Sequence, residues 1–291
     1  MEEFTIVGTF SRPRMVKPWL ISLYKFKLPR FLSYDKIKLL IYDNTDTNNV
    51  MLEFKTELPY LRRIYKDVFY HQSYRKPIKN LRGMPQQEFN KTKLKNIFEM
   101  WQDLTKLIDT DLFMLVEDDT LAPPHALNYL LNDFLSLPRA GLVTAIETGR
   151  ATFPWQQVRL GVHKLVRRKN KILKRISLDP NLKGIQEVDC CGVYCFITKL
   201  KLYKKAIKQM KSYVKKLPYF GMDNILTNNI KRMGYKIYAD FRVWCDHVQQ
   251  NGKELVKFNK KQAVQMMDIW IKEANNYAQG VIIKKKKERK K

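Results

Sequence analysis

The chain has 291 residues, 45% of them hydrophobic, enough for one large domain or a core domain with a subdomain. Its 55 Lys and Arg against 28 Asp and Glu leave a net charge of +27, which favours a polyanionic partner such as nucleic acid, an anionic membrane or an acidic polymer. No apolar run approaches the roughly 18 residues of a membrane helix, and the opening "MEEFTIVGTF" lacks the basic and apolar regions of a signal peptide, so the expected location is the cytoplasm, a host's if the chain is viral.

The first predicted element is a strand, "FTIVGTF" (Phe4 to Phe10). Trp19, Leu20, Leu23 and Phe26 then recur at helical spacing, and "KIKLLIYDN" (Lys36 to Asn44) reads as a second strand with Asp43 at its tip. Strand, helix, strand is the βαβ signature of a parallel sheet. Asn90 to Ile108 is a long amphipathic helix with Leu94, Ile97, Phe98, Trp101, Leu104 and Ile108 on its apolar face. "LFMLVE" is a buried strand, followed by a Pro-started helix "PPHALNYLLNDFLSL" and another strand, Ala140 to Glu147.

Residues 148 to 186 break this rhythm and are expected to form an inserted loop or hairpin. A strand from Val188 to Thr198 resumes the pattern, then a basic helix "KLKLYKKAIKQMKSYVKK", then a helix closed by Gly234. "YKIYADFRVWCDHV" supplies a late strand and exit loop, and a last helix runs from Asn259 to Ala278. Cys190, Cys191, Cys195 and Cys245 are too few for a disulfide scaffold and read as buried thiols in a reducing compartment. The charge is uneven. Lys164 to Lys216 carries 16 Lys and Arg against three acids, and the tail Lys284 to Lys291 carries seven against one.

Against this background "LFMLVEDDTLAPP" stands out, because five apolar residues run into Glu117, Asp118 and Asp119. Ligands of open α/β sheets bind beyond the carboxyl ends of the strands. Three adjacent carboxylates repel one another, and a divalent cation removes the conflict. Mg²⁺ and Mn²⁺ take hard oxygen ligands, typically one or two protein carboxylates completed by phosphates and water. Strand alternation would point Glu117 and Asp119 to one side and Asp118 to the other. A turn or helix cap is the structural alternative for this run, as an N-cap is for Asp223 at a helix start. His247 follows a late strand.

The order of these features resembles the GT-A glycosyltransferases, in particular the large inverting family of nucleotide-sugar enzymes, from about Phe4 to Val248. The Thr-x-x-Arg-like turn after the first strand is Thr9 to Arg12, and the strand-tip Asp that recognises the nucleotide base is Asp43. The Arg-Asn-like pair is Lys95-Asn96. The Asp-x-Asp metal motif aligns with Glu117-Asp118-Asp119, the acceptor-side acid with Asp223, and the late His ligand with His247. Glu replaces the first metal-motif acid, so the resemblance assigns the metal, Mn²⁺ or Mg²⁺, to Asp119 and His247. It places Thr9, Arg12, Asp43, Lys95, Glu117 and Asp118 on the nucleotide-sugar side and makes Asp223 the general base. The Gln-x-x-Arg-Trp motif of processive synthases is absent from the sequence.

The resemblance implies an α/β fold with a mostly parallel central sheet, flanking helices, a basic insertion and a C-terminal helix. One domain would span residues 1–280, with a nucleotide-sugar half (1–120), an acceptor half (121–258) and the helix 259–280, before a basic tail (281–291). It also implies transfer of a sugar from a nucleotide-diphosphate sugar to a hydroxyl with inversion. The basic 164–216 region favours a hydroxymethylated base in DNA as acceptor, as in phage enzymes that modify DNA; the aromatics interleaved with it, Tyr194, Tyr203 and Tyr213, and those flanking it, Trp155, Tyr219 and Phe220, would stack on an extruded base or, more commonly, fill the core. Two alternatives stay open: a glycan, glycoprotein or lipid-linked acceptor at an anionic surface, and a Mg²⁺-dependent nuclease or nucleic-acid-binding protein.

Overall fold

The computed structural model describes residues 3–45, 47–73, 86–147, 161–168, 171–214, 221–251, 254–258 and 260–261. The first half holds β1 (Phe4–Phe10), α1 (Val16–Tyr24), β2 (Ile37–Asp43), α2 (Asn49–Lys55), α3 (Leu58–Ile64), β3 (Asp67–Gln72), α4 (Gln86–Leu107), β4 (Leu112–Glu117), β5 (Thr120–Leu121), α5 (Ala126–Ser136) and β6 (Ala140–Glu147). The second half holds β7 (Val162–Arg168), β8 (Lys171–Ser177), β9 (Ile185–Val188), β10 (Cys190–Cys191), β11 (Cys195–Lys199), α6 (Leu200–Val214), α7 (Met222–Arg232), β12 (Lys236–Asn251) and β13 (Glu254–Phe258).

The main sheet has the order β13-β12-β6-β11-β4-β1-β2-β3, with β5 and β9 pairing to β12 beside it. β3, β2, β1 and β4 are parallel, β11 runs antiparallel between β4 and β6, and β12 returns parallel to β6. The strands are apolar throughout because both faces are covered. All seven residues of β1 are buried. Phe4 and Ile6 pack on one face with Trp19 of α1 and Leu130 of α5. Val7 packs on the other with Phe113, Trp101 of α4 and Tyr203 of α6, as two-residue alternation requires. Gly8 permits the close approach of α1, since a Cβ there would lie 2.7 Å from both the Phe10 and the Trp19 rings.

The expected hairpin exists. β7 and β8 pair antiparallel and form a separate three-stranded sheet with β10. It is rooted beside the end of β6, where the Gly161 amide donates to the Glu147 carbonyl (3.3 Å) and the Asp189 amide to the His163 carbonyl (2.9 Å). The single strand expected from Val188 to Thr198 is instead split. β10 joins β7, β11 joins the main sheet, and the chain turns at Gly192, where a Cβ would collide with the Tyr194 ring. Gly234, with φ +85°, closes α7 as its spacing predicts. Almost all of the predicted helix from Asn259 to Ala278, and the whole 281–291 tail, lie outside the described residues.

The fold divides the basic region. Lys199 pairs with Leu112, at the opposite end of β4 from Glu117, so α6 and its first lysines start roughly 20 Å from the carboxyl edge. Tyr194 and Tyr203 are core residues, which removes them as stacking platforms for a base. Trp155, Tyr219 and Phe220 and the side chain of Tyr213 are outside what is described.

Candidate active site

The carboxyl ends of β1, β2 and β4 share one edge, with Thr9 beside Glu117 and Phe10 beside Asp43. β4 ends at Glu117, whose amide donates to the Tyr194 carbonyl (2.8 Å). Strand alternation stops there, contrary to its expected continuation through Asp119. Asp118 and Asp119 lie in the turn before β5, and both face the Arg12 guanidinium.

Asp118 anchors the loop after β1. Its Oδ2 accepts from the Ser11 amide (2.8 Å), the Ser11 hydroxyl (3.2 Å) and Arg12 Nε (3.2 Å), while its Oδ1 pairs with Arg12 Nη2. Its own amide donates to the Thr9 carbonyl (3.1 Å). The same Nη2 lies 2.9 Å from Asp119 Oδ2. Burial works against the Arg12 charge, but Asp118 and then Asp119 outweigh it and hold the guanidinium charged. Burial also raises the Asp118 carboxyl, against the pull of Arg12 and with the push of Asp119.

His247 reaches the same carboxylate from the far side of the sheet. β12 follows β6 as far as Ala239, breaks register, and regains it at Trp244. Beyond this irregularity it also pairs with β5, placing His247 opposite Thr120, and the Val248 amide donates to the Asp119 carbonyl (2.7 Å). Such irregularities re-aim the side chains that follow. His247 Nε2 comes to 3.3 Å from Asp119 Oδ2, and both side chains are buried.

A residue not anticipated from sequence completes the group. Glu147, at the tip of β6, has Oε1 3.7 Å from His247 Nδ1 and accepts a hydrogen bond from Thr120 Oγ1 at 2.8 Å. Its amide donates to the Tyr194 hydroxyl (2.9 Å), which itself donates to the Ala145 carbonyl (3.1 Å). Burial, then the Asp119 charge, pushes the Glu147 carboxyl well above the usual range. The signal that could have found it is the one that marked Asp43 and Glu117, a carboxylate ending an apolar strand.

The remaining predicted residues are placed as follows. Asp43 is fully buried, its Oδ1 accepting from the Thr45 amide (2.8 Å) and hydroxyl (2.7 Å) and its Oδ2 from the Tyr70 hydroxyl (2.5 Å). Lys95 lies on the exposed side of α4 and pairs with Glu99 at 4.0 Å. Asp223 sits in the first turn of α7 and is not its N-cap, which is Gly221. Its charge reaches Cys191, whose thiol is held well above its usual range by burial, Cys190 and Asp223. The Gly192 amide donates to the Gly161 carbonyl (2.5 Å) and the Gly161 amide to the Glu147 carbonyl, so the turn between β10 and β11 is tied to the end of β6. All four cysteines are buried free thiols, as their number suggested.

Among the described residues no three His, Cys, Asp or Glu side chains are arranged to hold a metal ion on their own. Two ligands suffice where phosphates complete the shell. Adjacent octahedral ligands about 2.1 Å from an ion lie about 3 Å apart, close to the 3.3 Å between Asp119 Oδ2 and His247 Nε2. A carboxylate oxygen and an imidazole nitrogen are both ligands that Mn²⁺ accepts. The pair therefore fits a hard divalent ion.

No protein-family model matches the sequence, and no curated protein matches it. Solved structures do match in shape. GalNAc-T7, solved with UDP, GalNAc and Mn²⁺, superposes with a TM-score of 0.51 at 12% identity, over 87% of this chain and 45% of its own. The fold is GT-A. A mannosyltransferase from Pyrobaculum calidifontis, solved with GDP-mannose and Mn²⁺, gives 0.49 at 13% identity over 86% of this chain and 58% of its own. A UDP-glucose pyrophosphorylase solved with UDP-glucose gives 0.48 at 10% identity over 94% and 100%. The chain thus spans about half the length of the first two. In this GT-A sheet, Glu147 ends β6 and Asp119 lies in the turn just past the end of β4, both on the carboxyl edge. No described helix is long and apolar enough to cross a membrane.

Proposed function

We propose that the chain is a metal-dependent inverting glycosyltransferase that moves a sugar from a nucleotide-diphosphate sugar to a hydroxyl acceptor. The observation that carries this reading is the convergence of Asp119 Oδ2 and His247 Nε2 to 3.3 Å at the carboxyl edge of a GT-A sheet. In this reading the two side chains hold Mn²⁺ or Mg²⁺, which when bound neutralises the departing diphosphate. Thr9, Arg12, Glu117 and Asp118 line the donor side. Arg12 turns its guanidinium from Asp119 to a phosphate once the carboxylate has a metal partner. Asp43 keeps one carboxylate lone pair for the base. Lys95 joins the donor side by releasing Glu99. Asp223 takes the acceptor proton as that oxygen bonds to the anomeric carbon and the bond from that carbon to the diphosphate breaks. In-line attack with one base inverts the anomeric centre.

The favoured acceptor is a hydroxymethylated base in DNA, supported by the +27 charge and by a hairpin, rooted beside Glu147, whose two strands carry Lys164, Arg167, Arg168, Lys171, Lys174 and Arg175. A glycan, glycoprotein or lipid-linked acceptor is the second reading. It is favoured by the start of α6 at the far edge, where its lysines would face an anionic surface away from the site. The test is transfer of labelled sugar from a panel of nucleotide sugars to duplex DNA with and without hydroxymethylated pyrimidines, and to glycan and lipid acceptors. Label on modified DNA alone supports the first reading; label on glycan or lipid alone supports the second. Cleavage of DNA with no turnover of any nucleotide sugar overturns both in favour of a metal nuclease.

A further inference from the structure

The His247 ring lies between two carboxylates, one on each nitrogen: Asp119 Oδ2 at 3.3 Å from Nε2 and Glu147 Oε1 at 3.7 Å from Nδ1. Groups on opposite ring nitrogens cannot ligate the same ion, so Glu147 is not a third ligand with His247. We infer that Glu147 is the positioning residue that fixes the His247 ring and its tautomer, leaving Nε2 as the ligand. This rests on the reading that Asp119 and His247 hold the metal.

Two observations support it. First, Glu147 is held independently of His247. Thr120 Oγ1 donates to its Oε1, the Tyr194 hydroxyl accepts its amide, and Gly161 donates to its carbonyl. An orienting group must itself be oriented. Second, Thr120 is the residue paired with His247 across β5 and β12, so the hydroxyl that aims Glu147 and the ring that Glu147 faces belong to one strand pair. The 3.7 Å gap is about 0.5 Å longer than the upper end of ordinary N–H···O bonds, so the inference requires the ring and the carboxylate to close by that much when the metal binds. A histidine ligand that donates its second ring proton to a carboxylate has its tautomer chosen and its basicity raised. Losing such a partner typically lowers metal affinity about 10–100-fold.

The test compares wild type, Glu147→Gln, Glu147→Ala and Thr120→Val. Mn²⁺ binding is read by electron paramagnetic resonance, alone and with UDP or GDP, and the His247 tautomer by ¹⁵N NMR of the metal-free protein. The inference expects the proton on Nδ1 in wild type and its redistribution in Glu147→Ala. It expects Mn²⁺ affinity to fall about 10–100-fold in Glu147→Ala, with most of it restored in Glu147→Gln, whose amide oxygen still accepts the proton, and a smaller loss in Thr120→Val. A folded Glu147→Ala with wild-type Mn²⁺ affinity and tautomer overturns it. If Glu147→Ala does not fold, equal affinity in Thr120→Val and wild type, with the wild-type proton on Nε2, overturns it instead. Wild-type protein that binds no Mn²⁺ with either nucleotide overturns the metal reading itself, a different failure from normal binding that ignores Glu147.

Discussion

The Arg12 guanidinium spans Asp118 and Asp119, with one nitrogen, Nη2, in contact with a carboxylate oxygen of each and 2.9 Å from Asp119 Oδ2. A strongly basic chain thus sets an arginine, on the neighbouring strand's exit loop, against two of its three adjacent acids. Removing that arginine leaves two buried carboxylates without this cation. Arg12→Ala should lose about 2 kcal/mol, between the cost of an exposed pair and that of a fully buried one. Mn²⁺ should restore part of the loss. In thermal unfolding with and without Mn²⁺, the ion should stabilise Arg12→Ala more than wild type; equal shifts would show that arginine and metal do not share Asp119.

Asp119→Asn should abolish Mn²⁺-dependent binding of UDP or GDP with little loss of fold stability, since it also removes one charge from beside Asp118 and Glu147. Titration calorimetry with and without Mn²⁺ measures this directly. Asp118→Asn should show the opposite balance, with the Ser11–Arg12 loop loosened and the melting temperature lowered. An Asp119→Asn protein with a lowered melting temperature that still binds nucleotide with Mn²⁺ would reduce the acidic run to a turn.

Asp223→Asn should bind donor normally and lose about 10²–10⁴-fold in turnover, the usual cost of removing a general base. Stopped assays with saturating nucleotide sugar and the true acceptor separate the two quantities. Near-normal turnover would leave Asp223 as a first-turn carboxylate that favours the start of α7.

A pH effect is expected away from the site. Asp133 on α5 shares Arg242 with Asp240, and burial raises its carboxyl to about 6 despite the Arg242 hydrogen bonds, Asp240 adding to the rise. A carboxyl raised on folding holds its proton more tightly in the native state. Its contribution to stability is therefore full below the unfolded value of about 3.9 and is lost as pH rises through 6. Asp133→Asn should flatten the stability profile between those limits, as measured by urea unfolding at stepped pH. An unchanged slope would mean that Asp133 ionises as freely in the folded chain as in the unfolded one.

Much of this arrangement is legible before folding, because parallel strands covered on both faces must be apolar throughout. "FTIVGTF" and "LFMLVE" announce themselves, and an acid ending such a run marks the sheet's carboxyl edge. The same rule applied to "AGLVTAIE" would have picked out Glu147, but a single acid after a strand carries no visible conflict, unlike three in a row. The segment from Asn49 to Gln72, which forms α2, α3 and β3, has no comparably clean period. Least legible is the position of His247. It depends on an irregularity in β12 and on a two-residue strand, β5, and neither leaves a periodic trace in sequence. The role of Arg12 needed the β4 turn, which abandons the alternation that the residues before it obey.

β4 and β6 are not neighbours. The slot between them is filled by β11, whose residues 195–199 come well after both. A chain made from its N-terminus therefore exposes one hydrogen-bonding edge of β4 until β11 has been synthesised, about 80 residues later than Glu117. At about 5–20 residues per second that interval is roughly 4–16 s. During it an apolar strand tipped with Glu117 stands open to any other strand. Nascent chains of this protein should thus be most vulnerable to aggregation while the basic hairpin and β10 are being made, and a synonymous slow codon in that stretch lengthens the exposure.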